Sequence, residues 1–177
     1  DGDAVDAGSF RDARYLVGSE IGRGGMGLVV EAYDRELCRK VAVKVGRKQN
    51  QSADVAARFV EEAQATAQLE HPNIVPVHDI GVSSKGDVYY VMKLVRGRTL
   101  REILAAVKHK VGGAAREFGR VRLLSIFQQV CMGLDYAHAK GVVHRDLKPD
   151  NIMIGDYGEV LVMDWGLAKV LGRDFGP

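Results

Sequence analysis

The sequence predicts an α+β chain in which a five-stranded antiparallel sheet carrying one helix is followed by a mainly helical part. Three observations support this. Between residues 14 and 95, short runs alternate apolar and polar side chains and are separated by turn signals. One interval inside that region, residues 52–69, switches to three- and four-residue apolar spacing. From residue 99 onward the spacing is helical, interrupted only by short apolar runs.

Residues 1–13 are small, acidic and aperiodic, and are expected to be a loose lead-in. "RYLVGSEIG", "LVVEAYD" and "VAVKVG" then form three antiparallel strands, with "RELCRK" as the second turn. Ser52 or Asp54 is placed to cap the helix, whose buried face is expected to carry Phe59, Ala63, Thr66 and Leu69. "HPN" at 71–73 ends it, because the residue before a proline is pushed out of the helical region. "IVPVHDIGV" and "DVYYVMKLV" are two more strands around the turn "SSKG". Thr99 caps a helix over "LREILAAVKHK", and the Gly-rich, charged residues 111–120 are expected to be a surface loop. A long helix follows over 121–140, with Leu123, Phe127, Val130, Leu134 and Ala137 on its buried face and Gly141 as its stop. Short strands are expected at Val142–Val143, Asn151–Ile154 and Val160–Met163. Residues 14–95 and 96–177 are thus predicted to be two structural parts.

Composition narrows the class. Of the 177 residues 46% are hydrophobic and 27% charged, which is ordinary for a globular chain and excludes disordered and collagen-like classes. The net charge of +2 is too small to point to nucleic acid or an anionic membrane as a partner. The two cysteines, Cys38 and Cys131, have no metal or disulfide spacing, so a reducing, cytoplasmic compartment is expected. Cys131 falls in an apolar helical pattern and is expected in the core. No apolar run is long enough to span a membrane and no leader pattern opens the chain. The start without Met predicts a piece of a longer parent, which leaves room for a membrane anchor elsewhere.

The first chemical signal is "IGRGGMGLVV". Gly22, Gly24 and Gly27 form a GxGxxG, which has a chance probability of order a few tenths in so Gly-rich a chain. A dinucleotide site needs this motif to lead from a strand into a helix. Here it leads into another strand, which instead makes a Gly-rich hairpin whose N–H groups can approach phosphates. A plain hairpin is the bland alternative. In "VAVKV", alternation sets Val41, Val43 and Val45 on one face and Ala42 with Lys44 on the other. A lysine amid such a strand is costly unless paired, and the acids at hand are Glu62 and its neighbour Glu61. Otherwise Lys44 would snorkel to the surface.

"HRDLKPDN" is far more specific, because its residue types at fixed spacing are roughly a one in ten million event per position. Asp146 and Asn151 stand five apart across a loop that leads into an apolar strand. Further on, "VLVM" delivers Asp164 to a strand end. A carboxylate with an amide oxygen is a hard-oxygen pair suited to Mg2+.

Taken in order, "GRGGMGLV", "VAVK", a helix glutamate, "HRDLKPDN" and "DWG" resemble the eukaryotic-type protein kinases, and in particular the bacterial serine/threonine protein kinases. The resemblance runs from about Tyr15 to Lys169. It implies a protein-kinase-like fold, with a sheet-rich lobe and hinge over 14–95 and the first part of a helical lobe over 96–177. It also implies transfer of the γ-phosphoryl group of ATP, with Mg2+, to a protein serine or threonine, that of the kinase itself included. The loop around Gly22, Gly24 and Gly27 would cover the phosphates, Lys44 would hold them, and by alignment Glu62 would pair with Lys44. Asp146 would accept the hydroxyl proton, Lys148 would neutralise the transferring group, and Asn151 and Asp164 would bind magnesium. Ile21, Val29, Ala42 and Met153 would enclose adenine, with Met92 as gatekeeper and Lys93 to Val95 as hinge.

Trp165 stands where the family has Phe, and Lys93 where an acid is common. The chain ends at Pro177, ahead of the activation-segment phosphosite and the peptide-binding helices of that family. A nucleotide-binding fragment without transferase activity is therefore an alternative, as is a small-molecule kinase of related fold. Asp174, in "RDFGP", imitates the metal motif but lacks a preceding apolar strand. Arg145 resembles the arginine that meets an activating phosphate. His144 is expected to pack on Trp165. The helix 121–140 is expected to expose Leu and Phe surface, with marginal stability or self-association as the consequence.

Overall fold

The computed structural model describes residues 14–24, 27–46, 53–166 and 168–170. Ser52 and Asp174 lie outside them, and Asp54 is inside the helix rather than at its cap. The chain divides into two compact units, one of residues 1–67 and 76–94, the other of residues 68–75 and 95–177.

The first unit is an antiparallel sheet of β1 (Tyr15–Gly24), β2 (Gly27–Asp34), β3 (Arg39–Gly46), β4 (Val77–Val82) and β5 (Val88–Lys93), in the order β1-β2-β3-β5-β4. The helix α1 (Ala53–Ala67) lies between β3 and β4 in sequence and packs on β4 and β5. Alternation sorts the sheet's faces as the pleat requires. Val41, Val43 and Val45 join Tyr15, Leu28, Val30, Ala32, Tyr89 and Val91 in one buried cluster. Residues 83–86 close the β4–β5 hairpin, with Gly86 at φ 83° where a side chain would be strained.

At the base of β1, Asp34 is buried and receives both arms of Arg14, Nε at 3.0 Å and Nη2 at 2.9 Å. The Tyr15 hydroxyl donates to Asp79 on β4 at 2.9 Å. The first strand is therefore tied by side chains to the ends of β2 and β4, in addition to its ladder.

Phe59, Ala63 and Thr66 are buried on α1, but the helix stops at Ala67. Leu69 lies beyond its end and belongs to the core of the second unit. Residues 74–76 likewise do not extend β4. Ile74 bridges Val162, and the Val75 N–H donates to the Val162 carbonyl at 3.1 Å. The preceding Asn73 is buried and donates its amide to the Val160 carbonyl at 2.9 Å. Residues 68–75 are thus held by a strand 87 positions further on.

The second unit contains β6 (Gly97–Thr99), α2 (Leu100–Lys108), α3 (Ala114–Glu117), α4 (Arg120–Ala139), β7 (Val142–Val143), β8 (Ile152–Gly155), β9 (Val160–Val162) and β10 (Lys169–Val170). Strands β6, β8 and β9 form one small sheet, and β7 pairs with β10. A reciprocal capping box starts α2: Thr99 Oγ1 accepts from the Glu102 N–H, and the Glu102 carboxylate accepts from the Thr99 N–H. Gly97, at φ 149°, lies so close to the Ile154 carbonyl that a Cβ would fall 2.0 Å from its oxygen.

Three expectations are corrected here. Residues 111–120 are not merely a loop: α3 forms inside them and buries Ala114 and Phe118. Arg98 and Arg122 lie over the Phe118 ring at 5.0 and 4.3 Å. On α4 Val130 and Ala137 are buried as expected, with Ile126 and Gly133 beside them and Leu123 and Leu134 partly buried on the core, but Phe127 is 65% exposed. Cys131 is exposed rather than in the core. The core of this unit gathers Ile103, Phe118, Ile126, Val130, Val142, Ile152, Val162 and Trp165.

Candidate active site

In the first unit, β3 delivers Lys44 to the face covered by α1. Its Nζ donates to Glu62 Oε1 at 2.7 Å, and both residues are buried. Glu61, the other acid weighed as a partner, is exposed. Burying an ammonium is costly without an anion at contact distance, so the two charges hold each other in place. The Tyr90 hydroxyl donates to the same Glu62 oxygen at 2.9 Å. Sequence inspection passes over Tyr90, because its place opposite Lys44 depends on the β3–β5 register.

The β1–β2 ladder runs through Gly22–Val29 and Arg23–Leu28 to the Gly24–Gly27 pair. A Cβ at Gly27 would meet the Val45 carbonyl oxygen at 2.2 Å, whereas at Gly22 the nearest atom is 3.9 Å away. One motif glycine is thus demanded by close approach of β3. Among the expected adenine contacts, Ala42 and Met92 are buried, Val29 is half-buried and Ile21 exposed in this unit. Lys93 ends β5 and donates its N–H to the Pro76 carbonyl at 3.1 Å. Met153 on β8 and Val95 belong to the second unit, and both are half-buried.

The second unit concentrates the polar chemistry on one loop. Between β7 and β8 the chain passes through Asp146 and Lys148 into a single 3-10 turn, Pro149–Asn151, with proline at its start. Lys148 Nζ donates to Asp146 Oδ2 at 2.6 Å. Asn151 Nδ2 donates to the Asp146 backbone carbonyl at 2.8 Å and to Oδ2 at 3.3 Å. The Lys148 ammonium, with a hydrogen bond from Asn151 adding to it, holds the Asp146 carboxyl below the usual carboxylate range. Lys148 is held above its ordinary range by Asp146, with Asp164 and Asp150 contributing. The loop is tied to α2 through the Arg101–Asp150 ion pair.

His144 and Trp165 support the loop from below. Their rings are 4.6 Å apart and both are buried. His144 Nε2 donates to the Met163 carbonyl at 2.9 Å and Nδ1 accepts the Asp146 N–H at 3.3 Å, which selects the Nε2-protonated tautomer. The histidine thereby links the backbone at Asp146 to the segment that presents Asp164. Arg145 and Asp164 both occupy the left-handed region, at φ 63° and 55°. Such conformations cost on the order of 1–3 kcal/mol and concentrate at functional sites.

The donor set suits magnesium. The Asn151 nitrogen is committed to Asp146, which leaves its amide oxygen to act as a ligand, and Asp164 is exposed just past the end of β9. Among the described residues no three His, Cys, Asp or Glu side chains converge on a metal position. Two hard oxygens fit an ion that takes its remaining ligands from phosphate and water.

The family model described as the protein kinase domain matches residues 15–175. A serine/threonine-protein kinase PknD of Protochlamydia amoebophila is 43% identical over 164 residues, 90% of this chain and 17% of that protein. PknD of Chlamydia pneumoniae is 41% identical over 91% of this chain and 18% of its own length, and PknD of Chlamydia muridarum 43% over 88% and 17%. The chain spans less than a fifth of the length of these relatives.

Proposed function

Since this chain belongs to the protein kinase domain family, we propose that the protein transfers the γ-phosphoryl group of ATP to serine or threonine hydroxyls of proteins, its own included. The observation that carries the proposal is the loop in which Lys148 and Asn151 both bond to Asp146. ATP with magnesium would supply a transferable phosphoryl group whose charge is spread over three oxygens.

Each residue then has a defined task. Asp146, ionised at neutral pH and held by two donors, would orient the acceptor hydroxyl and take its proton. Its depressed pKa makes it a weak base, so orientation is its main contribution. Lys148 would offset negative charge on the transferring group. Asn151 and Asp164 would hold magnesium through their oxygens. Lys44, aimed by Glu62, would hold the α- and β-phosphates, with the backbone around Gly22, Gly24 and Gly27 covering them. Ile21, Val29, Ala42, Met92 and Met153 would contact adenine, and the backbone from Lys93 to Val95 would bond its edge. A reaction that draws on ATP and magnesium would take place in the cytoplasm. Among the described residues no helix is long and apolar enough to cross a membrane.

A thermal melt with ATP, in magnesium or in EDTA, tests the ligand assignment. The expected result is a magnesium-dependent rise in Tm that Asp164→Asn abolishes and Asp174→Asn leaves intact. A rise that survives Asp164→Asn refutes the metal assignment.

A further inference from the structure

Lys44 and Tyr90 are directly opposed in the β3–β5 register, so their side chains leave the same face of the sheet. On that face both meet one atom of α1: Glu62 Oε1 accepts from Lys44 Nζ at 2.7 Å and from the Tyr90 hydroxyl at 2.9 Å. The other carboxylate oxygen, Oε2, is buried with no hydrogen-bond partner among the described residues. The ammonium lies 5.6 Å from the Tyr90 ring centre and 5.9 Å from that of Phe59, and the two rings are 5.2 Å apart. Lys44, Glu62, Tyr90 and Phe59 are all buried.

We propose that Tyr90 is a positioning residue for Lys44, acting through the Glu62 carboxylate. The inference rests on the reading of Lys44 as a phosphate-holding group. A buried carboxylate with one oxygen doubly bonded and the other bare has a preferred orientation about its terminal torsion. The hydroxyl selects that orientation, because hydrogen bonds to an anion are stronger than those between neutral groups. Without it, Lys44 alone would choose between Oε1 and Oε2, and its Nζ would sample a wider set of positions. Ordering it on a phosphate would then cost more. The aromatic walls are unaffected by loss of the hydroxyl, so Tyr90→Phe isolates the hydrogen bond from ring packing.

The test is titration calorimetry of the full-length protein with Mg·ADP and, separately, with adenosine, which lacks the phosphates. Preference for ADP over adenosine reports on Lys44, whereas a general loss of fold weakens both ligands alike. Tyr90→Phe is expected to lower the preference by about five- to tenfold, the equivalent of one hydrogen bond, with adenosine affinity within about twofold of wild type. Lys44→Met is expected to abolish the preference. In a Glu62→Leu background, where position 62 has no acceptor, Tyr90→Phe is expected to change it by less than about twofold, as coupling through one carboxylate requires.

An unchanged preference in Tyr90→Phe, with Lys44→Met still effective, overturns the role of Tyr90 and leaves that of Lys44 standing. A full Tyr90→Phe effect in the Glu62→Leu background overturns the route through Glu62. An unchanged preference in Lys44→Met overturns both readings together.

Discussion

Asp34→Asn keeps the shape of the side chain that anchors the base of the β1–β2 hairpin and removes its charge. The carboxylate is 1% exposed, and the Arg14 side chain 21%. Wild type places Arg14 Nε on Oδ1 and Nη2 on Oδ2, and Oδ1 also accepts the Glu36 N–H at 3.1 Å. In the variant the new NH2 faces a guanidinium, so one of the two charge-assisted bonds becomes a donor–donor clash. Each such bond contributes about 1.5–3 kcal/mol, and breaking a fully buried pair costs about 3–5 kcal/mol. Arg14 can partly rehydrate, which brings the expected loss to about 3 kcal/mol. For a chain of this size that is a fall in Tm of about 10 °C.

The pH dependence carries the sign. Arg14 holds the Asp34 carboxyl below its ordinary pKa in the folded state. The associated stability is therefore complete above the unfolded value of about 3.9 and is lost as pH falls through the depressed folded value. Urea unfolding of wild type and Asp34→Asn, followed by circular dichroism from pH 7 downward, should give a constant difference to about pH 4 and a shrinking one below. A difference under about 1 kcal/mol at pH 7, or one that persists unchanged at the acid end, refutes the reasoning.

Other substitutions follow from the same packing. Gly27→Ala should destabilise the protein by several kcal/mol, on the order of a severe core clash, because its Cβ would lie 2.2 Å from the Val45 carbonyl oxygen, while Gly22→Ala should be near neutral in the same melt. Asn73→Ala should lower stability by about 1–3 kcal/mol in urea titrations, since it orphans the buried Val160 carbonyl. Phe127→Gln should change stability by less than about 0.5 kcal/mol and should weaken any concentration-dependent association seen by sedimentation, because the ring is exposed on α4.

Features set by local spacing were legible from residue order. The alternation in "VAVKV" is enough to bury the valines and turn Lys44 away from them, and the Thr99 cap needs only Glu102 three residues on. The polar loop at 144–151 is equally compact, so Lys148 and Asn151 reach Asp146 by short local bonds. Features set by distant partners were not legible. Tyr90 faces Lys44 only once the register of two strands is known. Residues 68–75 look like the end of a helix and the start of a strand until β9 supplies the carbonyls that hold them. On α4 spacing placed Phe127 with Val130 and Ala137, whereas Ile126 takes the buried position and Phe127 is exposed. A neighbour decided it: the Asn73 backbone approaches α4 where Gly133 leaves room, with a Cβ there only 3.3 Å from its carbonyl oxygen.

The central claim is phosphoryl transfer to a protein hydroxyl with Asp146 orienting the acceptor. Its most direct test incubates the full-length protein with γ-labelled ATP, magnesium and a mixed protein acceptor, and then identifies the labelled amino acids. Label on serine or threonine that falls by about 100-fold or more in Asp146→Asn is the predicted result. Label at wild-type level in that variant, or label found only on a small molecule, would contradict it.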